Sequence, residues 1–323
     1  MSSSWWLSFR GADVKCKLCG GTAVINMHQH RLSLCGEHFL QWVPVQVARA
    51  IKKYRMFGPD ERILVAVSGG KDSLALWDIL LGLGYHADGL HINLGVGNGY
   101  SAESQARAEA FAAARPGAAL RVVDLAREYG AGIPELARMR RGRKACSLCG
   151  MVKRHIMNQA ACSGGYDAIA TGHNLDDEVA VLLQNTLRWS VSYLARQAPV
   201  LPGEPGLARK VKPLVRLRER ETAAYALVRG IDYIYDECPH AEGATTLFYK
   251  EILSQLETRS RGTKEMFYLG LLDAREQQGA FRSDDEKVEM HPCARCGQPT
   301  TAPGLCAFCR LWAGGTKDTQ GEV

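Results

Sequence analysis

Residues 63–73 read ILVAVSGGKDS. Five apolar residues, Ile63 to Val67, predict a short buried strand, and Ser73 to Gly82 continue with helical character, Leu74, Leu76, Trp77, Leu80 and Leu81 being apolar. Gly69 and Gly70 stand where the chain must turn between the two, and their missing side chains let backbone N–H groups approach an anion. A helix beginning near Asp72 points its positive end at the same place. Ser68 and Ser73 add hydroxyl donors and Lys71 adds a cation. The spacing is not GxxxxGKS, so the loop differs from that of the common nucleoside triphosphatases.

Working outward, the chain alternates. Residues 87–94, 119–125 and 166–172 read as strands, and 101–115, 148–163 and 175–188 as helices. Alternation of this kind over about 50–270 predicts an α/β fold with a parallel sheet covered by helices. Ligands of such sheets bind at the carboxyl ends of the strands. Residues 199–213, with Pro199, Pro202, Pro205 and Pro213, read as a loop or linker, and 231–235 (IDYIY) as a further strand. Residues 219–230 read as a helix stopped by Gly230, and 273–289 as a charged surface connection.

The bulk composition excludes some classes. The chain has 323 residues and 46% hydrophobic content, with no run near the ~20 apolar residues of a membrane helix and no secretory signal at its start. Net charge is a mild +6, but Arg138, Arg140, Arg141, Arg143 and Lys144 crowd one stretch, with Lys153 and Arg154 behind it. Arg209, Lys210, Lys212, Arg216, Arg218 and Arg220 form a second cluster. Two such clusters suit RNA, and equally a solvated basic face.

Eleven cysteines without a signal, several in CxxC pairs, point to metal ligation in a reducing compartment. One set is Cys16, Cys19, Cys35 and His38; another is Cys293, Cys296, Cys306 and Cys309. Such short segments bury little without a metal. A third CxxC, Cys146 and Cys149, follows the first basic run, and Cys238 lies in YDECPH. Three thiolates leave one coordination position open, which suits a cluster or metal that binds something exogenous. A redox dithiol or an incomplete zinc site fits the same residues. Cys162, in AACSGG, reads as a small buried residue at a helix end.

TGHNLDDE places Gly172, His173, Asp176 and Asp177 after the strand at 166–171. Paired acids there suit Mg²⁺ or the orientation of a reacting group. A helix N-cap is the ordinary role for Asp176, which leaves Asp177 for chemistry. His91 and Asn93 end the second strand and are candidates for lining an adenosine pocket, His91 being as readily a satisfied core histidine.

SGGKDS is similar to the pyrophosphate loop of ATP pyrophosphatases. Together with HINLG, IPELARMRRGRKACSLCGMVKR, TGHNLDDE, LARQAPVLPGEPG, VKPLVRLRERETAAYALVRGIDYIYDECP and the end modules, it resembles the TtuA-type tRNA 2-thiouridine synthetases from about Cys16 to Cys309. The resemblance implies a PP-loop ATP pyrophosphatase domain (adenine nucleotide alpha hydrolase-like) over 46–272. Zinc-binding modules would flank it at 1–45 and 273–314, with a tail at 315–323. It implies ATP and Mg²⁺ at Ser68, Gly69, Gly70, Lys71, Asp72, Ser73, His91, Gly172 and His173. Two Zn²⁺ would sit on the two end sets, and a [4Fe–4S] cluster on Cys146, Cys149 and Cys238, with Lys153 and Asp177 essential beside it.

The reaction implied is ATP-dependent adenylation of a tRNA uridine C2 carbonyl followed by sulfur transfer through the cluster, giving 2-thiouridine or 5-methyl-2-thiouridine. Its sulfur donor is external, a ubiquitin-like protein thiocarboxylate or free sulfide. The implied enzyme is a cytoplasmic homodimer with no membrane attachment. Two other readings share parts of the pattern: a tRNA 2-thiocytidine synthetase, which lacks the paired zinc modules, and a non-catalytic zinc-finger RNA-binding protein. The segment 95–118 is less charged and richer in alanine than the resemblance implies, and the N-terminal extension with Trp5 and Trp6 is longer.

Overall fold

The computed structural model describes residues 14–140, 144–241, 245–281 and 289–313. Arg141, Arg143, Trp5, Trp6 and the tail lie outside them. In chain order, a small hairpin of β1 (Ile25–Met27) and β2 (Leu32–Leu34) leads into α1 (Gly36–Lys53). The central alternation follows as β3 (Arg62–Ala66), α2 (Lys71–Gly82), β4 (His86–Asn93), α3 (Tyr100–Ala113) and β5 (Leu120–Asp124). Next come α4 (Leu125–Tyr129), α5 (Ile133–Met139), α6 (Ala145–Gly164), β6 (Ala168–Thr171), α7 (Leu175–Leu187) and α8 (Val191–Arg196). The chain ends with β7 (Val200–Leu201), β8 (Arg209–Val211), α9 (Glu219–Arg229), α10 (Thr245–Arg259), α11 (Thr263–Gln277), β9 (His291–Pro292), β10 (Pro299–Thr300) and α12 (Cys309–Trp312).

The main sheet has the order β5-β4-β3-β6-β8-β7, parallel throughout except for β7. The first strand, β3, lies in the middle because the chain builds β4 and β5 on one side and then returns to place β6 on the other. That reversal opens a crevice at the carboxyl ends of β3 and β6, where the SGGKDS and TGHNLDDE segments emerge. The strands are apolar on both faces, as parallel strands covered twice must be. Ile63, Val65, Ala168 and Ala170 face one core, whereas Leu64, Leu90 and Ile169 face the other.

The end modules share these cores. Ile25, Met27 and Leu34 of the N-terminal hairpin are buried in the first, and α1 runs unbroken from that module into the central domain. Cys293, Cys306, Phe308 and Leu311 of the C-terminal module are buried in the second, against α6. Each module therefore borrows core from the domain rather than relying on a metal alone.

Four sequence expectations are corrected. Residues 199–213 are not only a linker: β8 extends the sheet beside β6, and β7 pairs with it antiparallel. Residues 231–235 form no strand. They cross the phosphate loop instead, with the Ile234 amide donating to the Gly69 carbonyl at 3.0 Å rather than to a neighbouring strand. The charged stretch from 273 begins as the last turn of α11. Cys162 is also exposed, on the solvent side of the last turn of α6, rather than buried.

Candidate active site

The phosphate loop is held by its own serines. The Ser68 amide donates to Ser73 Oγ at 3.1 Å, the two hydroxyls lie 3.1 Å apart, and Ser73 Oγ donates to the Gly70 carbonyl at 3.0 Å. Gly69 has φ +77°, and a Cβ there would lie 2.4 Å from the Ser104 carbonyl oxygen, so the turn requires glycine. Across the crevice, a Cβ on Gly172 would stand 2.9 Å from the Ser73 nitrogen. The bare Gly172 lets the end of β6 lie against the first turn of α2, which brings the two motifs together.

Between them lies a cavity of 420 Å³, a size that suits a nucleotide. Ser68, Asp72, Ser73, His91, Gly172, His173 and Asp177 line it, and so does Lys153. His91 is buried; its Nδ1 lies 2.9 Å from the Val67 carbonyl, and its Nε2 has no protein partner. The imidazole is thus satisfied on one side and open on the other. Burial holds its pKa below the ordinary histidine value, against the pull of the Val67 carbonyl. Asn93 is corrected: its amide serves Gln105 at 2.7 Å and the Gly95 amide at 3.0 Å, and it does not line the cavity.

The cap role expected of Asp176 is also corrected. The N-cap of α7 is Asn174, whose Oδ1 accepts from the Asp177 amide at 3.2 Å, while Asp177 Oδ2 accepts from the Asn174 amide at 3.0 Å. The box is closed by the acid favoured for chemistry, because the helix begins at Leu175, two residues earlier than a cap at Asp176 demands. Asp176 points inward, accepting from the Glu219 amide at 2.8 Å and pairing with buried Lys264. Asp177 keeps its second oxygen for Lys250, at 2.6 Å.

Glu219, Lys250 and Lys264 are not singled out by the sequence analysis: Glu219 lies inside the block 211–239 that carries the resemblance, α10 and α11 lie outside every quoted motif, and folding brings the three side chains together with the acids of the two motifs. Lys71 bonds Asp72 at 2.9 Å and Glu219 at 2.8 Å, and Lys250 bonds Glu219 at 2.9 Å. Burial pulls the Lys71 ammonium down, but Asp72 and Glu219 outweigh it and hold its pKa above the lysine range. Burial likewise pushes Glu219 up, but the two lysines outweigh it and hold its carboxyl at about 2.

The third cysteine set does not itself line the cavity but neighbours two residues that do, Tyr100 and Lys153. Cys146 and Cys149 lie on the first two turns of α6, and Lys153 follows Cys149 by one turn. Cys238 approaches from the loop after α9: Pro239 turns the chain, the Ala241 amide bonds the Cys238 carbonyl at 2.7 Å, and Cys146 Sγ donates to the His240 carbonyl at 3.1 Å. Burial pushes the Cys149 thiol up, and Lys153 beside it works in the opposite direction. Tyr100 lines the cavity; burial raises its hydroxyl, and Cys238 and Cys149 nearby raise it further. Unlike the two end sets, these three sulfurs do not close to within 4.8 Å of one another. Cys238 and Cys146 both act on Cys149, so the three thiols share one neighbourhood, and a three-thiolate donor set fits an iron–sulfur cluster.

The two end sets do close. Cys16, Cys19, Cys35 and His38, and Cys293, Cys296, Cys306 and Cys309, each gather their ligand atoms within 4.8 Å. Cys19 and Cys35 Sγ lie 3.7 Å apart, and Cys296 and Cys306 Sγ 3.8 Å apart. A tetrahedral Zn²⁺ with Zn–S bonds of about 2.3 Å sets its sulfurs at about that separation. The Cys306 amide donates to Cys293 Sγ at 3.2 Å, as thiolate ligands require. The basic run at 209–220 is largely spent within the fold: Arg209 pairs with Glu61, Lys212 with Glu178, Arg216 with Glu265 and Arg218 with Glu257. It is therefore not an open basic face.

Comparison with known proteins matches this arrangement. The family model described as the 2-thiouridine synthetase TtuA N-terminal LIM domain matches residues 15–40, and the PP-loop domain model matches residues 43–243. The chain is 52% identical over 297 residues to the tRNA-5-methyluridine(54) 2-sulfurtransferase of Thermus thermophilus, covering 92% of this chain and 90% of that one. It is 44% identical over 299 residues to the protein of the same name from Pyrococcus horikoshii, covering 93% and 94%. Among solved structures, the U34-tRNA thiolase NcsA from Methanococcus maripaludis with its [4Fe-4S] cluster superposes with a TM-score of 0.74 at 23% identity, over 92% of this chain and 95% of that one. At that identity the likeness is one of fold.

Proposed function

The chain belongs to the TtuA family of tRNA 2-thiolation enzymes, and from that membership we propose that it replaces the C2 oxygen of a tRNA uridine with sulfur at the expense of ATP. The observation that carries this reading is one cavity with two chemistries. The phosphate loop Ser68–Ser73 forms one wall, and Lys153, a turn from Cys149, forms another. Relatives at 42% identity and above are named for position 54, whereas the cytoplasmic thiolation proteins stand at 30% or below. The substrate is accordingly 5-methyluridine 54, giving 5-methyl-2-thiouridine.

A uracil carbonyl oxygen is a poor leaving group. Attack of O2 on the α-phosphate of ATP makes it part of a phosphoester and releases pyrophosphate. The amides of Gly69 and Gly70, the hydroxyls of Ser68 and Ser73 and the positive end of α2 stabilise the departing charge. Asp177 and Asp72, at the cavity wall, are the carboxylates placed to hold Mg²⁺ on the phosphates. Lys153 neutralises charge at the base as sulfur adds to C2 and AMP leaves. Cys146, Cys149 and Cys238 would hold a [4Fe–4S] cluster, which would supply Lewis-acid chemistry toward sulfide. His91 Nε2 is an acceptor for the nucleoside, and Gly172 and His173 close its other side.

Each end set would hold a Zn²⁺, which would tie the ligands of its own module together. Sulfur arrives from outside, from a ubiquitin-like protein thiocarboxylate or free sulfide, to a homodimer in the cytoplasm. The test is an anaerobic reaction of reconstituted protein with unmodified tRNA, ATP and sulfide. AMP release and mass spectrometry of digested tRNA are read together. Formation of AMP with a sulfur at position 54 supports the reading. Absence of AMP with a full complement of iron and sulfide sinks it.

A further inference from the structure

Behind the phosphate loop, five charged side chains alternate in sign: Asp72, Lys71, Glu219, Lys250 and Asp177. The two ends, Asp72 and Asp177, line the nucleotide cavity, whereas Glu219 does not. Glu219 sits at the centre, with Lys71 on Oε1 at 2.8 Å and Lys250 on Oε2 at 2.9 Å. Three carboxylates and two ammoniums leave the set net negative, which is the wrong sign for a polyphosphate in a half-buried site. Both lysines remain partly exposed, 23% for Lys71 and 20% for Lys250. An ammonium has three donors, and among the described residues each lysine spends two on carboxylates. The third donor of each is available to a phosphate oxygen.

We propose that Lys250, carried on α10 outside the SGGKDS loop, is a second phosphate-binding lysine, and that Glu219 is the acceptor that holds Lys71 and Lys250 while no nucleotide is bound. When the polyphosphate arrives, each lysine exchanges its Glu219 bond for a phosphate oxygen, so its positive charge faces the nucleotide instead of the carboxylate. Lys250 already touches Asp177 at the cavity wall, so the exchange needs a rotation of a flexible stem and no movement of backbone. The assignment rests on reading the loop as an ATP site.

The experiment is equilibrium binding of a non-cleavable ATP analogue with a methylene bridge between the α- and β-phosphates, and of AMP, to the full chain with its metals, without tRNA. Lys250→Met weakens the analogue by about 10- to 100-fold, the worth of one charge-assisted bond, and leaves AMP within about two-fold. Lys250→Arg recovers most of the loss. Glu219→Gln binds the analogue more tightly than the wild type by several-fold, because the lysines are no longer held. An unchanged ratio of analogue to AMP affinity in Lys250→Met, or weaker analogue binding in Glu219→Gln, overturns the proposal. A wild type that binds neither ligand instead overturns the ATP reading itself, and this inference with it.

Discussion

The imidazole of His155 stacks face to face on the ring of Phe308, with centroids 3.7 Å apart and planes 8° from parallel. Burial depresses the imidazole pKa to about 4, so the ring stays neutral near pH 7 and its Nε2 accepts from the Gln298 amide at 3.1 Å. Two further ties join the same surfaces: Asn158 donates to Gln298 at 2.9 Å, and Arg140 donates to the Arg310 and Leu311 carbonyls at 2.7 and 2.8 Å. The C-terminal module thus braces the back of α6, the helix whose front carries Cys146, Cys149 and Lys153.

Removing that brace should loosen the cysteines it supports. Phe308 is buried, and Phe308→Ala is expected to cost about 3 kcal/mol of stability. Iron content per chain should fall with it. Thermal melting and iron assay check this. A variant with wild-type melting and full iron would show that the module is not structural support for α6.

The three-cysteine assignment predicts a sharp contrast among thiols. Serine at Cys146, Cys149 or Cys238 should abolish both iron retention and thiolation. Cys162→Ser should change neither, since Cys162 is exposed and only its weak contact to the Gly206 carbonyl at 3.6 Å is lost. Iron and sulfide assays with nucleoside analysis decide it, and retained thiolation in Cys238→Ser would count against the trio.

Asp177 does two jobs that substitution can separate. Asparagine at 177 still accepts from the Asn174 amide but loses the charge that Lys250 and the phosphates meet. Asp177→Asn should therefore melt within a few degrees of the wild type while thiolation drops by about 100-fold or more. Asp177→Ala should lose about 1 kcal/mol of stability as well, the usual cost of a lost capping interaction. Equal melting and equal activity in Asp177→Asn would assign the residue to capping alone.

The sequence made the sheet and the phosphate loop legible because both are local. Apolar runs separated by glycine turns name parallel strands, and SGGKDS carries its chemistry in six consecutive residues. The two four-ligand end sets were legible for the same reason. What it hid depends on distance. Glu219, Lys250 and Lys264 meet partners 31 to 148 residues away, and a contact at that separation is not written in any local pattern. The basic run at 209–220 misled in the opposite sense. Its charges look like an RNA face until folding supplies Glu61, Glu178, Glu257 and Glu265 as partners. IDYIY misled because an alternating apolar pattern describes any extended half-buried segment, whether or not a neighbouring strand is there to pair with it.

Glu221 links the N-terminal module to α9 and should make stability depend on pH. It is buried, accepts from Gln29 and caps α9 at the Arg218 amide, 2.9 Å away. Burial pushes its carboxyl up to about 7 despite the opposing pull of the Arg218 amide and guanidinium. The folded state therefore keeps a proton that the unfolded chain releases near its ordinary value of 4.5. Stability from this group is fully present below that value and is lost as pH rises toward 7. The melting temperature should fall by on the order of 5 °C between pH 5 and 7. Glu221→Gln should flatten that fall, and a wild-type profile that rises over the same window would contradict the assignment.

Gly69 and Gly70 are adjacent in the loop but are required for different reasons, and alanine tells them apart. At Gly69 the backbone has φ +77°, and an added Cβ would meet the Ser104 backbone at 2.4 Å, where no flexible side chain can yield. At Gly70 the backbone is extended, and an added Cβ would meet only the Ser68 hydroxyl at 3.5 Å, an ordinary contact. Gly69→Ala combines left-handed strain, worth about 1–2 kcal/mol, with a backbone collision. It should lower the melting temperature by several degrees and remove nucleotide binding together. Gly70→Ala should melt like the wild type, and any loss it shows in ATP binding then reports the crowding of phosphate by the new methyl group rather than a disordered loop. Melting curves with and without ATP give both numbers, and a Gly69→Ala variant as stable as Gly70→Ala would mean that α3 can retreat from the loop at no cost.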